Sequence, residues 1–301
     1  MNTLLITLEP LTAFATPLHG DTLFGQLCWA LRNRQGEAWL VERLRGYTAN
    51  DPFLVVGDAF PEGHFPRPRK PSKGFQSKEN RQQVWLPRRE WGLDCVTEEA
   101  IWGKDKTRIE RPQPHNSIHR LSGTTGEGEQ GFAPFVTRQI WFPEGARLEV
   151  WLLHDADRLP EETLHTALSD IGQLGFGKEA SRGLGKYRVT AMQPTPLPRQ
   201  EGCNAWLTLG SCAPQGCGFD AANSFYELFT RFGRHGDWPA LSGQPFKKPI
   251  LMAGAGAVLT PAVWRDVRFV GQGLGGEGKL SKVIADTVHQ GYCPVVGIRV
   301  D

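Results

Sequence analysis

The chain has 301 residues, enough for two compact domains or one elaborate one, and its formal net charge of +2 is too small to mark a nucleic-acid binder without local patches. No run approaches the roughly 18 apolar residues of a membrane span, and Met1-Asn-Thr-Leu-Leu-Ile-Thr-Leu-Glu-Pro10 lacks the basic start of a secretory leader. The expectation is a soluble, cytoplasmic protein, and the 35 glycines and 22 prolines suit a loop-rich α+β fold better than a helical bundle.

Residues 3–14 alternate apolar and polar and predict a first strand. A helix follows, with Asp21 or Thr22 as its N-cap and Leu23, Leu27 and Leu31 on one face. Arg32 and Arg34 fall in its last turn, where the helix dipole favours cations. A second strand is predicted over 52–60.

From residue 64 to about 120 the character changes. Arg67, Arg69, Lys70, Lys73, Lys78, Arg81, Arg88 and Arg89 crowd together with Trp85 and Trp91 between them, and prolines at 66, 68, 71 and 87 forbid a long helix. This reads as an excursion from a compact domain. Cations along a backbone and rings on which bases stack are what single-stranded nucleic acid requires, and a solvated charged loop is the competing reading. The same excursion ends in His115-Asn-Ser-Ile-His-Arg120 and Thr124-Thr125, groups able to hydrogen-bond sugar hydroxyls and pair phosphates. His115, Asn116, Ser117 and Arg120 are the candidates there.

A strand pair over 139–142 and 147–154, turning at Pro143-Glu-Gly145, is predicted next. A helix then starts at Pro160 with Glu161 and Glu162 in its first turn and Leu164, Leu168 and Ile171 as its buried stripe. The segment Leu174-Gly-Phe-Gly-Lys-Glu-Ala-Ser-Arg-Gly-Leu-Gly-Lys-Tyr187 is the most informative in the chain. Its glycines, Gly175, Gly177, Gly183 and Gly185, free the backbone, while Lys178, Arg182 and Lys186 bring charge. Bare amides plus cations suit a phosphate chain, either a nucleotide's or an RNA backbone's. A Walker loop is excluded, because Gly185-Lys186 is followed by Tyr187 and leads into a strand rather than a helix.

With a strand over 186–192 the order becomes β-α-β, a long insertion, then β-α-β, the ferredoxin-like or RRM arrangement. Pro194-Thr-Pro-Leu-Pro198 is a stiff linker. Domains are therefore drawn at 1–193, with the basic insertion at 64–131, and at 194–301, where short strands suggest a degraded second copy. The six cysteines form no C-x-x-C pair, and Cys203, Cys212, Cys217 and His235 match no familiar zinc spacing. Reduced thiols, with no metal and no cofactor, are the reading. His19, before Gly20-Asp21, is open to two roles: a general base for metal-independent RNA cleavage beside Lys178 or Arg182, or a helix-entry residue touching RNA.

Three segments together carry a resemblance. Gly20-Asp-Thr-Leu-Phe-Gly-Gln-Leu-Cys-Trp29, His115-Asn-Ser-Ile-His-Arg120 with Thr124-Thr125, and Gly175-Phe-Gly-Lys-Glu-Ala-Ser-Arg-Gly-Leu-Gly185 resemble the RAMP superfamily of CRISPR effector proteins. Their order and distances look like subunit four of the type III-A (Csm) complex, and Gly291-Tyr-Cys-Pro-Val-Val-Gly-Ile-Arg-Val300 is similar to that family's C-terminus. The resemblance implies two RRM-like domains, the first bearing a thumb-like β-hairpin and a glycine-rich loop. It implies a non-catalytic subunit that binds the repeat-derived 5′ tag of the crRNA, lies near target RNA, and joins the large polymerase/cyclase-like subunit to a RAMP backbone subunit. Carried over by position, Gly177, Lys178, Ser181, Arg182, Gly183, Gly185 and Lys186 hold tag phosphates, with His19 and Asp21 close by and Arg67, Arg69, Lys70 and the segment through Arg120 in the thumb. His119 departs from the family, which has an acidic residue there. The alternative is a RAMP endoribonuclease that processes repeat RNA. A weaker third is a nucleotide-binding regulatory protein.

Overall fold

The computed structural model describes residues 1–69, 83–88, 101–102, 107–116, 118, 123–125, 134–198, 201–236, 238–241 and 243–300. In the first half the elements run β1 (Asn2–Pro10), α1 (Gly20–Gln35), α2 (Glu37–Leu44), β2 (Leu54–Pro61), β3 (His64–Pro66), β4 (Gln83–Pro87), β5 (Ile101–Trp102), β6 (Ile109–His115), β7 (Phe135–Trp141), β8 (Leu148–His154), α3 (Glu161–Leu174) and β9 (Tyr187–Pro194). Strands β1, β2, β8 and β9 form one antiparallel sheet in the order β2-β8-β1-β9. That is the order of a split β-α-β unit.

Strand β1 takes a central place because both of its faces are buried. Leu4, Ile6 and Leu8 point one way and join the core beneath the helices, while Leu5 on the other face packs with Trp151. The predicted helical stripes hold. Leu23, Leu27 and Leu31 of α1 and Leu164, Leu168 and Ile171 of α3 are buried in that first core. Helix α1 starts so close to β2 that a Cβ on Gly20 would lie 2.2 Å from the Val56 carbonyl oxygen. Only glycine fits there.

Two predicted features differ. The expected hairpin of 139–142 with 147–154 does not form: β7 pairs with β6, from Ile109↔Trp141 to His115↔Phe135, and β8 pairs with β1 and β2. Burial explains the choice. All seven residues of β8 are buried, which suits a central strand, whereas β7 exposes four of its seven residues and suits a two-stranded arm. The second difference lies at the start of α1. The N-cap position is His19, with no side-chain cap of its own, and neither Asp21 nor Thr22 fills that place.

The second half contains β10 (Ala205–Thr208), β11 (Leu228–Arg231), β12 (Ile250–Ala253), β13 (Val258–Leu259), β14 (Phe269–Gly275) and β15 (Val288–Ile298), with no α-helix among the described residues. Its larger sheet has the order β13-β10-β15-β14, and β11 and β12 form a separate ribbon. The β-α-β pattern of the first half is not repeated. The two halves share their cores: Leu5, Phe60 and Trp151 pack with Leu207, Val258 and Val296. Tyr292 of β15 meets Tyr47 edge-on at 5.3 Å and donates its hydroxyl to the Tyr47 carbonyl at 2.7 Å.

Candidate nucleic-acid interface

The start of α1 is held by a residue from another element. Asp58, buried on β2, accepts the Gly20 amide at 2.8 Å through Oδ1 and pairs with His19 Nδ1 at 2.9 Å through Oδ2. Thus the cap arrives from across the sheet, at a position that no local helix signal marks. Burial pulls the His19 imidazole down, but the charge and hydrogen bond of Asp58 outweigh it and hold its pKa above the usual histidine value.

Asp21 turns inward. Its carboxylate is buried, 2.7 Å from Arg231 Nε and 3.2 Å from His289 Nε2. Burial alone would raise its pKa; the His289 hydrogen bond and the Arg231 charge instead lower it to about 2. The expectation that Asp21 contacts RNA is corrected accordingly: it anchors Arg231 of β11 beside His19 and does not itself face solvent.

His19, Arg67, Arg69, Trp85, Arg108 and Arg231 line one groove of about 900 Å³, walled by the turn before α1, the insertion and β11. Arg69 pairs with Glu227 at 3.2 Å, and its amide donates to the Gly256 carbonyl at 2.8 Å. Burial and the neighbouring charge of Arg69 lower the pKa of Arg67. Four guanidinium groups and a histidine that favours its charged form, beside an indole, make a groove suited to a polyanion with flat bases.

The glycine loop follows α3 and docks against residues 12–16. The Lys178 amide donates to Thr16 Oγ1 at 2.9 Å, the Gly185 amide to the Ala13 carbonyl at 2.8 Å and the Lys186 amide to Thr12 Oγ1 at 2.9 Å. Amides of Phe176, Arg182, Gly183 and Leu184 also donate within the loop. The sequence reading of bare N–H groups is therefore corrected, because most of these donors close the loop on itself. Gly185 illustrates the constraint: φ is +75°, and a Cβ there would lie 2.2 Å from the Phe176 carbonyl oxygen. What the loop offers outward is side chains, with Lys178, Ser181 and Arg182 exposed and Lys186 half-buried. Gly177 and Gly183 both adopt positive φ, and Gly177 lies against Thr16.

The arm and the loop meet through Phe135, a residue the sequence reading did not single out. The His115 ring stacks on Phe135 at 5.1 Å and 20°, and the Arg182 guanidinium lies 5.6 Å from the same ring. Phe135 opens β7, earlier than the strand predicted over 139–142, and its contact with residues 20 and 47 positions away is a tertiary fact. Asn116 is exposed beside His115. Lys70, Ser117 and Arg120 lie outside the described residues.

Among the described residues no group of three or more His, Cys, Asp and Glu side chains could hold a metal ion, and Cys28, Cys203, Cys212, Cys217 and Cys293 are free thiols. No helix among them is long and apolar enough to cross a membrane.

No curated protein sequence matches the chain. Among solved structures, a chain of a Csm1–Csm4 cassette crystallised with pppApA aligns with a TM-score of 0.61 at 13% identity, covering 100% of this chain and 99% of that one. A chain of a Csm3–Csm4 subcomplex of the type III-A CRISPR-Cas interference complex aligns with a TM-score of 0.59 at 12% identity, covering 96% and 99%. At such identities the likeness is one of fold. The RAMP superfamily model matches residues 15–188, more than half of the chain, a span running from the docked turn at Thr16 through the glycine loop into β9. The chain belongs to the RAMP superfamily.

Proposed function

We propose that this protein is an RNA-binding subunit of a type III CRISPR effector, one that caps the repeat-derived 5′ tag of the crRNA and is not itself a nuclease. The observation that carries the reading is a full-length likeness in fold to chains of Csm1–Csm4 and Csm3–Csm4 assemblies, on a chain that gathers Arg67, Arg69, Arg108 and Arg231 in one groove. Its partners would be the large polymerase-like subunit, a RAMP backbone subunit, the crRNA and the target RNA. Lys178, Ser181, Arg182 and Lys186 would hold tag phosphates from the loop. His115, Asn116 and the insertion would reach toward the guide–target pairing.

A second reading, metal-independent cleavage of repeat RNA, draws support from the pairing of His19 with Asp58. The direction of the His19 shift favours binding. Asp58 shifts His19 toward its charged form, in which it donates to a phosphate rather than accepting a proton. The two readings separate in one experiment. Labelled repeat RNA should remain intact without metal, and Lys178→Ala with Arg182→Ala should weaken its binding, flattening the salt dependence by about 0.7 per lost phosphate contact. Cleavage that His19→Ala abolishes would establish the enzyme instead.

A further inference from the structure

Glu179 is an acidic residue at the centre of a basic loop. Its carboxylate lies 2.9 Å from Arg182 Nη1, with the Glu179 side chain 15% and that of Arg182 52% exposed. The same guanidinium rests against Phe135 at 5.6 Å, so Arg182 is held from two sides while its outer surface remains in water. The backbone of Glu179 is left-handed, with φ +64°, a conformation non-glycine residues rarely take. Its carbonyl accepts the amides of Arg182 at 2.9 Å and Leu184 at 3.3 Å. The main chain of residue 179 thereby closes the turn, and its side chain is set against Arg182, one of the two exposed cations of the loop.

We propose that Glu179 gates the glycine loop: its carboxylate occupies Arg182 until an RNA phosphate displaces it, so that weakly held polyanions are rejected. This rests on the reading that the loop grips RNA phosphates. An ion pair at a largely exposed arginine is weak, which suits a contact that must be exchanged. A phosphate reaching Arg182 while the pair persists would also stand beside a like charge. The gate therefore lowers affinity by the same factor for every RNA whose phosphate takes Arg182, so RNA that makes few other contacts is the first to fall below useful occupancy.

The test is a double-mutant cycle in the full chain, with labelled tag-bearing RNA and a polyuridine oligonucleotide as probes. Glu179→Gln keeps the turn's carbonyl contacts and removes the charge. It should tighten polyuridine binding by about 1.5- to 5-fold, the range of an exposed ion pair, and steepen the salt dependence by up to about 0.7. In the Arg182→Ala background the same change should have no effect. Glu179→Asn, which tolerates the left-handed backbone, should behave alike, and thermal melting checks that both variants fold. If Arg182→Ala weakens binding but neither Glu179 variant tightens it, the gate is wrong and the RNA reading stands. An equal gain with and without Arg182 also overturns the gate, since it would be a general charge effect. If Arg182→Ala leaves binding unchanged, the placement of RNA on this loop fails and the gate falls with it.

Discussion

The Gln290 side chain clasps both backbone groups of Val56. The Val56 amide donates to Oε1 at 2.8 Å, and Nε2 donates to the Val56 carbonyl at 2.8 Å. Strand β2 lies at the end of the first sheet's order, and its register with β8 is broken between Val56 and Ala59. A carboxamide from β15 thus serves β2 as a further strand would, and ties the halves together where both residues are buried.

Gln290→Leu should therefore destabilise the protein far more than its volume change suggests. It strands an amide and a carbonyl that water cannot reach, at about 1–3 kcal/mol for each orphaned group. Chemical denaturation should show a loss of about 3 kcal/mol, and a loss below about 1 kcal/mol would mean the contact is dispensable.

Asp21 makes a prediction in acid. Its carboxyl titrates near 3.8 when unfolded and at about 2 when folded. A folded value lowered in this way contributes stability that is fully present above the unfolded value and is lost as the pH falls from about 4 through 2. Asp21→Asn should remove that segment of the acid-unfolding profile. At neutral pH it should cost about 3 kcal/mol, because Arg231 and His289 lose the charge between them. A variant whose acid limb matches the wild type would show that other carboxylates dominate.

Much of the first half could be read from sequence because its signals are local. The stripes Leu23, Leu27, Leu31 and Leu164, Leu168, Ile171 follow helical periodicity, and a strand, a helix and a glycine loop in sequence leave few topologies open. What escaped reading depends on distant partners. Asp58 caps a helix 38 residues away, Arg231 finds Asp21 across 210, and Phe135 joins two segments whose own patterns say nothing of it. The pairing of β7 with β6 was missed for a related reason, since turn residues at 143–145 advertise a hairpin while the burial that decides the partner belongs to the finished fold. In the second half the short strands carried no sign of their order, and Phe269–Gly275, interrupted by glycines at 271 and 273, went unread as a strand.

His19 carries the remaining prediction, and its sign follows from Asp58. The pair favours the charged imidazole, so any stability it contributes is present below the unfolded value of 6.5 and is lost as the pH rises through the higher folded value. A phosphate in the groove would feel the same change. RNA affinity should fall as the pH rises above 6.5, by about five-fold once the charge is gone, a modest figure because the side chain is a third exposed. His19→Gln should bind with the weaker affinity throughout and show no such step. Asp58→Asn should move the step to lower pH, although it also removes the cap on Gly20 and should lower the melting temperature. Titrating RNA binding from pH 5.5 to 9 in these three proteins decides the matter, and a step that survives in His19→Gln would assign the titration to another group.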